Sequence, residues 1–296
     1  MANYVAGVDI GGSSVKFGVF EEGRELVYRS SATMVIGDAD AGVQVIKKLV
    51  DDCPYHIDKL GADTPGTVLL PQGTVSAANL FWKNVPLRAM LNRALKMPIW
   101  VDNDAQTQLA AEWWSGACKG LSSAIYLTFG TGVGGAMLIN GKPWRGHRNT
   151  AGEIGHIITH ADGLNCPCGL KGCYERYASA AALCRMGGRD NAKKIIDAAR
   201  EGDPEMLKVF REYLHEVAVG IASLNMVFRP EAFVLGGGIS AAGDIFLHTL
   251  NEEIVKGNRV NGYRCYWPML LPKYFIKVWE VILPRLGLWQ GRNGNV

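Results

Sequence analysis

Three strands in this sequence run directly into glycine-rich turns, and two of the turns lead back into a second strand. The first unit is a strand over Tyr4–Ile10, the turn GGSS and a returning strand VKFGVF. The second is a strand over Ala124–Phe129, the turn GTGVGG and a strand AMLI that ends at the hairpin pair Asn140-Gly141. Because each hairpin opens one half of the chain, we expect two similarly built domains around a cleft, with a boundary near residues 116–122.

Glycine turns allow backbone N–H groups to approach an anion, so these turns are candidate phosphate sites. Asp9 could hold Mg²⁺ directly or through water, and the third turn, after the strand EAFVL, would take the nucleoside end. The candidate nucleotide-binding residues are Asp9, Gly11, Gly12, Ser13, Ser14, Lys16, Thr128, Gly130, Thr131, Gly132, Gly236, Gly237 and Gly238. Taken alone, each turn is equally consistent with a plain hairpin.

The second turn also matches the dinucleotide-binding pattern G-x-G-x-x-G, at Gly130, Gly132 and Gly135. A dinucleotide site of that kind needs a helix after the glycines, because the helix N-terminus receives the pyrophosphate. Here the glycines lead into a strand and an Asn-Gly turn. The context therefore disfavours a dinucleotide site.

A histidine and three cysteines, His156, Cys166, Cys168 and Cys173, form a compact candidate metal site. Three thiolates and an imidazole suit tetrahedral Zn²⁺ and leave no coordination position for a substrate, which indicates a structural zinc. A disulfide or free thiols are the alternatives. The chain has an odd total of seven cysteines, which fits a reducing compartment.

Carboxylates flank the cysteine cluster at Glu153 and Glu175. Glu153 and His156 are three residues apart and share a face if GEIGH begins a helix. Carboxylates and amides bind polyols well because each hydroxyl both donates and accepts. The cluster is therefore a candidate wall of a sugar site, although either glutamate alone could be a solvated surface residue.

The segment MPIWVDNDAQTQLAAEWW predicts a short strand that turns into a helix at Asp102-Asn103-Asp104. One of these residues could serve only as the helix N-cap. An aspartate at this position is also kept ionised by the helix dipole, as a proton acceptor for a hydroxyl group requires.

Composition narrows the class of protein. With 296 residues, 48% of them hydrophobic, the chain can bury a large core and form two domains. A net charge of +3 without a basic block argues against nucleic-acid or membrane-surface partners. The sequence has neither a signal peptide nor an apolar segment of membrane-spanning length, so we expect a cytoplasmic protein.

These motifs, in this order, resemble the ROK family of sugar kinases and sugar-responsive repressors, within the actin-like ATPase superfamily. The resemblance runs from about Val5 to about Gly291. It rests on DIGGSSVKFGVF, TPGTV, AANLFW, VDNDA, GTGVGG, the cysteine motif GHIITHADGLNCPCGLKGCYE and VLGGGIS. It implies an α/β fold of two actin-like, ribonuclease H-like domains around a central cleft, with a structural zinc loop. The domains would be residues 1–118 and 119–296, and the last residues, about 281–296, could return to the first domain.

The resemblance also implies the activity. Asp104 would be the general base, and the hexose would be held by Asn79, Asn103, Glu153, His156 and Glu175, with Gly66 against it. The reaction would be ATP-dependent phosphorylation at the 6-hydroxyl of a hexose, with Mg²⁺ and a structural Zn²⁺, in a homodimer or homotetramer. We expect glucose as the substrate, with N-acetylmannosamine or another amino sugar as the alternative. A catalytically impaired sugar-binding or regulatory protein is the remoter alternative.

Two places depart from the family pattern. Gln106 stands where the family usually has Asn. The end of the chain, LGLWQGRNGNV, keeps only the glycine spacing of a pattern that opens a final helix, so we expect either that this helix is naturally absent or that the terminus is altered. A DNA-binding repressor would carry a winged-helix region before the first phosphate motif, which here begins within ten residues of Met1.

Overall fold

A computed structural model describes residues 4–21, 26–257 and 265–266 of the chain. Contacts divide these residues into two compact units. Unit 1 contains the described residues up to Gly116 together with Arg145–Ala151, and unit 2 contains Ala117–Trp144 and the described residues from Gly152 onward. The domain assignment of residues 1–118 and 119–296 stays a prediction, and the expected return of residues 281–296 lies outside the described residues.

Unit 1 combines eight strands with three α-helices. The strands are β1 (Tyr4–Ile10), β2 (Ser14–Glu21), β3 (Leu26–Thr33), β4 (Lys59–Thr64), β5 (Thr67–Leu69), β6 (Thr74–Ala77), β7 (Trp82–Val85) and β8 (Ile99–Asn103). The helices are α1 (Ala39–Asp51), α2 (Leu87–Leu95) and α3 (Asp104–Ser115), with short 3₁₀ helices at Ala78–Leu80 and His147–Asn149.

Unit 2 contains the remaining described elements. Its strands are β9 (Ala124–Phe129), β10 (Val133–Ile139), β11 (Lys142–Pro143), β12 (Ala232–Gly236) and β13 (Cys265–Tyr266). Its helices are α4 (Glu175–Ala178), α5 (Ala180–Gly187), α6 (Ala192–Arg200), α7 (Pro204–Phe228) and α8 (Asp244–Gly257), with 3₁₀ helices at Ile154–His156 and Ser240–Ala242. Within the described part of the chain, no helix is both long enough and apolar enough to cross a bilayer.

The two units contain five-stranded sheets of the same order and strand direction. In unit 1 the order is β3-β2-β1-β4-β8, and in unit 2 it is β11-β10-β9-β12-β13. In each sheet the first three strands are antiparallel neighbours, and the last three are parallel neighbours. A separate three-stranded sheet, β5-β6-β7, belongs to unit 1. The glycine hairpins β1–β2 and β9–β10 therefore occupy equivalent places in two mixed α/β sheets.

Both glycine hairpins form where the sequence predicts them. β10 begins at Val133, three residues before the predicted strand AMLI, and so contains Gly135 of the G-x-G-x-x-G match. The helix that a dinucleotide site needs is replaced by this strand. Asn140 and Gly141 both have positive φ, 52° and 67°, as a two-residue type I′ hairpin requires.

Helix α7 organises the core of unit 2. The predicted helix over residues 206–228 begins two residues earlier, at Pro204, because the side chain of Asp203 caps the N–H groups of Glu205 and Met206. Apolar side chains along one face, including Phe210, Leu214, Val217 and Ile221, are buried. This spacing of three and four residues is what the sequence pattern predicts for a core-facing helix.

The same helix anchors the end of the cysteine-rich loop. Tyr174 directly follows Cys173, is fully buried and donates a hydrogen bond from its hydroxyl to the carbonyl of Val217 (2.8 Å). Its ring lies directly over Gly220, where a Cβ atom would overlap the ring. Gly220 is therefore required by packing, although glycine is otherwise unfavourable within a helix.

We expect Gly220→Ala to lower the stability of unit 2. The better helix propensity of alanine is worth about 1 kcal/mol, but the methyl group would overlap a ring that is buried and hydrogen-bonded. Overpacking of this kind typically costs about 1–3 kcal/mol. The midpoint of urea or thermal denaturation measures the effect.

The control is Ser223→Ala on the exposed face of the same helix, which should change the midpoint little. An increase in stability of Gly220→Ala would contradict this account of the packing.

Candidate active site

Two glycine turns of unit 2 lie side by side, at the carboxyl ends of the neighbouring strands β9 and β12. β9 and β12 are parallel neighbours, and Thr128 pairs in register with Gly236. The third turn packs closely on the second, because the N–H of Ile239 donates to the carbonyl of Phe129 (3.1 Å) and a Cβ on Gly237 would overlap the backbone of Phe129. The structure thus brings together the residues predicted for the phosphates and for the nucleoside, namely Thr128, Gly130, Thr131, Gly132, Gly236, Gly237 and Gly238.

The first glycine turn lies in unit 1, between β1 and β2. The N–H of Gly11 donates to the carbonyl of Ser14 (2.9 Å), which closes a tight turn. Ser13, within this turn, is exposed. Asp9, near the end of β1, pairs with Lys16 of β2 at 3.2 Å. Beside the turn, Asn79 Nδ2 lies 3.8 Å from the position of a Cβ on Gly12. Asn79, predicted from the resemblance to bind sugar, therefore borders the predicted phosphate turn.

The candidate base lies at the junction of β8 and α3. Asn103 is the N-cap, and its Oδ1 accepts from the N–H of Gln106 (3.1 Å). Its Nδ2 donates to Asp104 Oδ1 (2.9 Å) and to the carbonyl of Gly66 (2.9 Å). Asp104 Oδ1 also accepts from the N–H of Ala105 (2.8 Å), and the helix N-terminus stabilises its negative charge. The cap and the candidate base are thus adjacent residues with separate roles.

Gly66 lies against this junction, at a position that only glycine fits. Its φ is +85°, and a Cβ atom would overlap the backbone of Ser76 and Ala77. The close approach of the chain places the Gly66 carbonyl within reach of the Asn103 amide. The three residues predicted here for substrate and catalysis, Gly66, Asn103 and Asp104, are linked by hydrogen bonds.

Asp63 is a residue at this site that the sequence reasoning missed. It is 4% exposed, pairs in register with Asp9 on one side and Asp102 on the other, and accepts from the hydroxyl of Thr107 (2.8 Å). Burial, followed by the charges of Asp9 and Asp104, raises the pKa of the Asp63 carboxyl well above its usual range. The signal in the sequence was a carboxylate near the carboxyl end of a buried strand, KLGADT.

The four candidate metal ligands of unit 2 converge. One atom from each of His156, Cys166, Cys168 and Cys173 lies within 4.8 Å of the other three. Cys168 Sγ is 3.5 Å from Cys173 Sγ, and Cys166 Sγ is 3.7 Å from His156 Nδ1. Tetrahedral Zn–S bonds of about 2.3 Å would separate two sulfur atoms by about 3.8 Å. The donor set and its spacing therefore fit a zinc ion.

The thiol environments also fit a cation. Burial raises the pKa of Cys166 to about 12 and raises the pKa of Cys173, whereas a hydrogen bond from the Leu170 N–H lowers the pKa of Cys168. Without a positive charge among them, Cys166 would keep its proton, and its Sγ lies 3.2 Å from Glu175 Oε1. A bound zinc would compensate the thiolates.

Glu175 connects this cluster with the second glycine turn. Its Oε1 is 3.8 Å from His156 Nδ1, and its Oε2 is 2.7 Å from the position of a Cβ on Gly132. Glu153 is exposed and precedes a single 3₁₀ turn, in which the N–H of His156 donates to the Glu153 carbonyl (3.0 Å). Glu153 is the N-cap of this 3₁₀ turn, which ends at His156.

The predicted site residues thus form one group in each unit. Unit 1 holds Asp9, Gly11, Gly12, Ser13, Ser14, Lys16, Gly66, Asn79, Asn103 and Asp104. Unit 2 holds the other two glycine turns, Glu153, Glu175 and the metal cluster. The candidate roles divide accordingly, with the candidate proton acceptor and the candidate magnesium ligand in unit 1, and the candidate phosphate turns and metal loop in unit 2.

Comparison with known proteins gives a consistent result. The chain is 35% identical over 282 residues to a glucokinase of Streptomyces coelicolor, covering 85% of this chain and 88% of that protein. It is 30% identical over 277 residues to a xylose repressor of Caldicellulosiruptor bescii, covering 84% of this chain and 69% of the repressor. The crystal structure of a ROK family glucokinase from Streptomyces griseus, in complex with glucose and AMPPNP, is 30% identical with a TM-score of 0.85 and covers 96% of this chain and all of that one.

The family assignment rests on the length of the match as well as on these relatives. The sequence model of the ROK family matches residues 5–266, which include every predicted site residue. The mixed α/β fold with several sheets agrees with that of the Streptomyces griseus structure. The resemblance noted in the motifs is confirmed, and the chain belongs to the ROK family.

Proposed function

We propose that this protein transfers the γ-phosphoryl group of ATP to the 6-hydroxyl of a hexose, with glucose as the preferred sugar. The observation that carries the proposal is Asp104 at the N-terminus of α3, oriented by Asn103 and the Ala105 N–H. A carboxylate held in a fixed orientation is what a sugar hydroxyl needs as its proton acceptor. The similarity to glucokinases supports the choice of glucose.

In this mechanism Asp104 accepts the proton of the 6-hydroxyl as its oxygen attacks the γ-phosphorus in line. The N–H groups of the glycine turns stabilise the negative charge of the phosphates, and Lys16 adds a positive charge beside the first turn. Mg²⁺, when bound near Asp9, would neutralise charge on the transferring group. General-base assistance of this type is typically worth about 10²- to 10⁴-fold in rate.

We assign hexose binding to Asn79, Asn103, Glu153, His156 and Glu175, with Gly66 against the sugar. A zinc ion held by His156, Cys166, Cys168 and Cys173 would supply coordination bonds that fix this loop. His156 would then have one ring nitrogen on the metal and the other available to a hydroxyl. The role of zinc in the proposal is to hold Glu175 and His156 in place, since a closed Cys₃His set has no open position.

The proposal includes the actin-like arrangement of two domains around a central cleft, whose closure would exclude water from the phosphoryl transfer. Cytoplasmic location and a homodimer or homotetramer also remain predictions. N-acetylmannosamine or another amino sugar is the alternative substrate, because the residues assigned to the sugar are expected to be shared by kinases of both kinds of sugar. A regulatory sugar-binding role is the competing class, in view of the xylose repressor among the relatives.

A coupled assay of ADP release over several sugars tests the proposed function. Glucose, N-acetylmannosamine, N-acetylglucosamine, mannose, fructose and allose are compared at equal concentrations with ATP and Mg²⁺. We expect the highest kcat/KM with glucose. Sugar binding without ADP release from any member of the set would support the regulatory alternative and contradict the kinase.

We expect Asp104→Asn to fold, to bind glucose and to lose most of its turnover. Asparagine keeps the size of the side chain and its acceptor for the Ala105 N–H, but it cannot take a proton. We predict a fall in kcat of about 10²- to 10⁴-fold with a small change in the Kd for glucose. Steady-state kinetics and calorimetric titration measure the two quantities.

The matched control is Asp190→Asn, which changes an exposed aspartate that pairs only locally with Lys194 in unit 2. It should retain the wild-type kcat. Near-normal turnover of Asp104→Asn would remove Asp104 from the proton-transfer step.

We expect Cys168→Ser to lose bound zinc and to weaken glucose binding more than nucleotide binding. The substitution removes one thiolate from the cluster that orders His156 and Glu175, while the glycine turns keep their own backbone hydrogen bonds. Metal content is measured by mass spectrometry, and the Kd values for glucose and for an ATP analogue are measured by titration.

Cys184→Ser serves as the control, because Cys184 lies on α5, outside the metal cluster. Its zinc content and both Kd values should match the wild type. Equal weakening of glucose and nucleotide binding in Cys168→Ser would indicate that zinc only stabilises the fold.

A further inference from the structure

A short segment of unit 1, residues 145–151, comes from the middle of the unit 2 sequence. The chain leaves unit 2 after Trp144 and returns to it at Gly152, and Arg145–Ala151 belongs to unit 1. We call this segment the strap. Its first and last residues both contact the junction of β8 and α3, which carries Asp104.

Arg145 binds the carboxylate of Asp102 at the end of β8. Its Nη1 lies 2.7 Å from Oδ1 and 2.6 Å from Oδ2 of Asp102, whose side chain is 4% exposed. The Arg145 side chain is itself 22% exposed, so the pair is largely screened from water. Charge-assisted hydrogen bonds at such a site are strong, and removal of one partner leaves a buried, uncompensated charge.

Asn149 completes the contact between the strap and Asp102. Its Oδ1 accepts from Arg145 Nη1 (2.9 Å), and its Nδ2 donates to the carbonyl of Val68 (2.9 Å) and to Asp102 Oδ1 (3.3 Å). Arg148 and Asn149 have φ values of 54° and 66°, in the left-handed region that such residues rarely adopt. The hydrogen bonds of Asn149 hold the strap in this conformation.

The other end of the strap contacts α3 in its first turn. Gln106 is 2% exposed, and its Nε2 donates to the carbonyl of Ala151 (3.4 Å). The N–H of the same residue donates to the capping oxygen of Asn103. The strap therefore contacts Asp102 and Gln106, the residues on either side of the segment that contains Asn103 and Asp104.

A continuous series of contacts runs from Arg145 to Asp104. Arg145 binds Asp102, Asp102 Oδ1 accepts from the N–H of Asn103 (2.8 Å), and Asn103 Nδ2 donates to Asp104 Oδ1 (2.9 Å). Each member fixes the orientation of the next. Arg145 thus acts on Asp104 through two intervening residues.

We propose that Arg145 is a positioning residue for Asp104. By fixing Asp102 and the strap, it holds the Asn103–Asp104 turn in the orientation in which Asp104 accepts the hydroxyl proton of the sugar. The catalytic part of this inference rests on the proposed kinase function. Arg145 is assigned no step of the chemistry, since its Nη1 donates to Asp102 and Asn149.

The test compares Arg145→Met with the double variant Arg145→Met/Asp102→Asn. The single variant leaves the buried Asp102 carboxylate without its cation, so it should lower both Tm and kcat. The double variant removes that charge and keeps an acceptor for the Asn103 N–H, so it should recover most of the Tm. Because the contact between residue 145 and residue 102 is still missing, its kcat should remain about 10²-fold below wild type, as expected for a misplaced catalytic group. The KM for ATP should change little.

Two further variants complete the design. Arg145→Lys keeps the positive charge but not the planar guanidinium that reaches both Asp102 and Asn149, so its kcat should lie between the wild type and Arg145→Met. Arg211→Met breaks the pair of Arg211 with Glu252 (3.1 Å) in unit 2 and should leave kcat unchanged. Recovery of kcat together with Tm in the double variant, or wild-type kcat in soluble Arg145→Met, would overturn the proposal.

Hydrogen exchange provides a readout that does not depend on kinase activity. We expect the N–H groups of residues 103–107 to exchange faster in the double variant than in the wild type, while those of α1 stay the same. Unchanged exchange at residues 103–107 would also overturn the positioning role. A wild-type protein that phosphorylates no sugar would contradict the proposed function separately, and the exchange comparison would still decide whether Arg145 orders the turn.

Discussion

Three aspartates lie in register near the carboxyl ends of the parallel strands β1, β4 and β8. The stability of this part of unit 1 depends on how the charges of the three carboxyl groups are compensated. Asp9 pairs with Lys16, Asp102 with Arg145, and Asp63 has the hydroxyl of Thr107. Three adjacent carboxylates without partners would repel one another strongly in a partly buried site. Among the described residues Asp63 has no cation beside it, and burial together with the charges of Asp9 and Asp104 raises the pKa of its carboxyl, although the Thr107 hydrogen bond lowers it.

In unit 2 the conformation of the candidate metal loop depends on the packing of Tyr174 as well as on the candidate metal ligands. Tyr174 follows the ligand Cys173, precedes Glu175 and is held against α7 by its ring and its hydroxyl. Glu175 in turn lies between the cysteine cluster and Gly132. A metal ion at the cluster would therefore act on a loop whose end is already fixed by the core. The backbone of the second and third glycine turns is ordered independently, by the pairing of β9 with β12.

The features that the sequence predicted correctly depend on local patterns. Alternating apolar residues around glycine turns indicate hairpins, Asn140-Gly141 indicates a tight turn, and the cysteine spacing indicates a cluster. The roles of Asp63 and Arg145 could not be read in this way, since they depend on strand register and on a contact across 43 residues between Arg145 and Asp102. The strap was equally hidden, because the left-handed conformation of Asn149 is accompanied by tertiary hydrogen bonds to Val68 and Asp102.

The two equivalent sheets carry different side chains at corresponding strand ends. The pair Asp9–Asp63 in unit 1 occupies the same place, at the end of two parallel strands, as Thr128–Gly236 in unit 2. Carboxylates at the unit 2 positions would repel a phosphate chain, whereas a hydroxyl and an unobstructed backbone N–H attract it. At the unit 1 positions a carboxylate is useful, because it can hold a cation. In the proposed function the same backbone arrangement therefore binds a cation in unit 1 and a phosphate in unit 2, and the side chains at the strand ends decide which one.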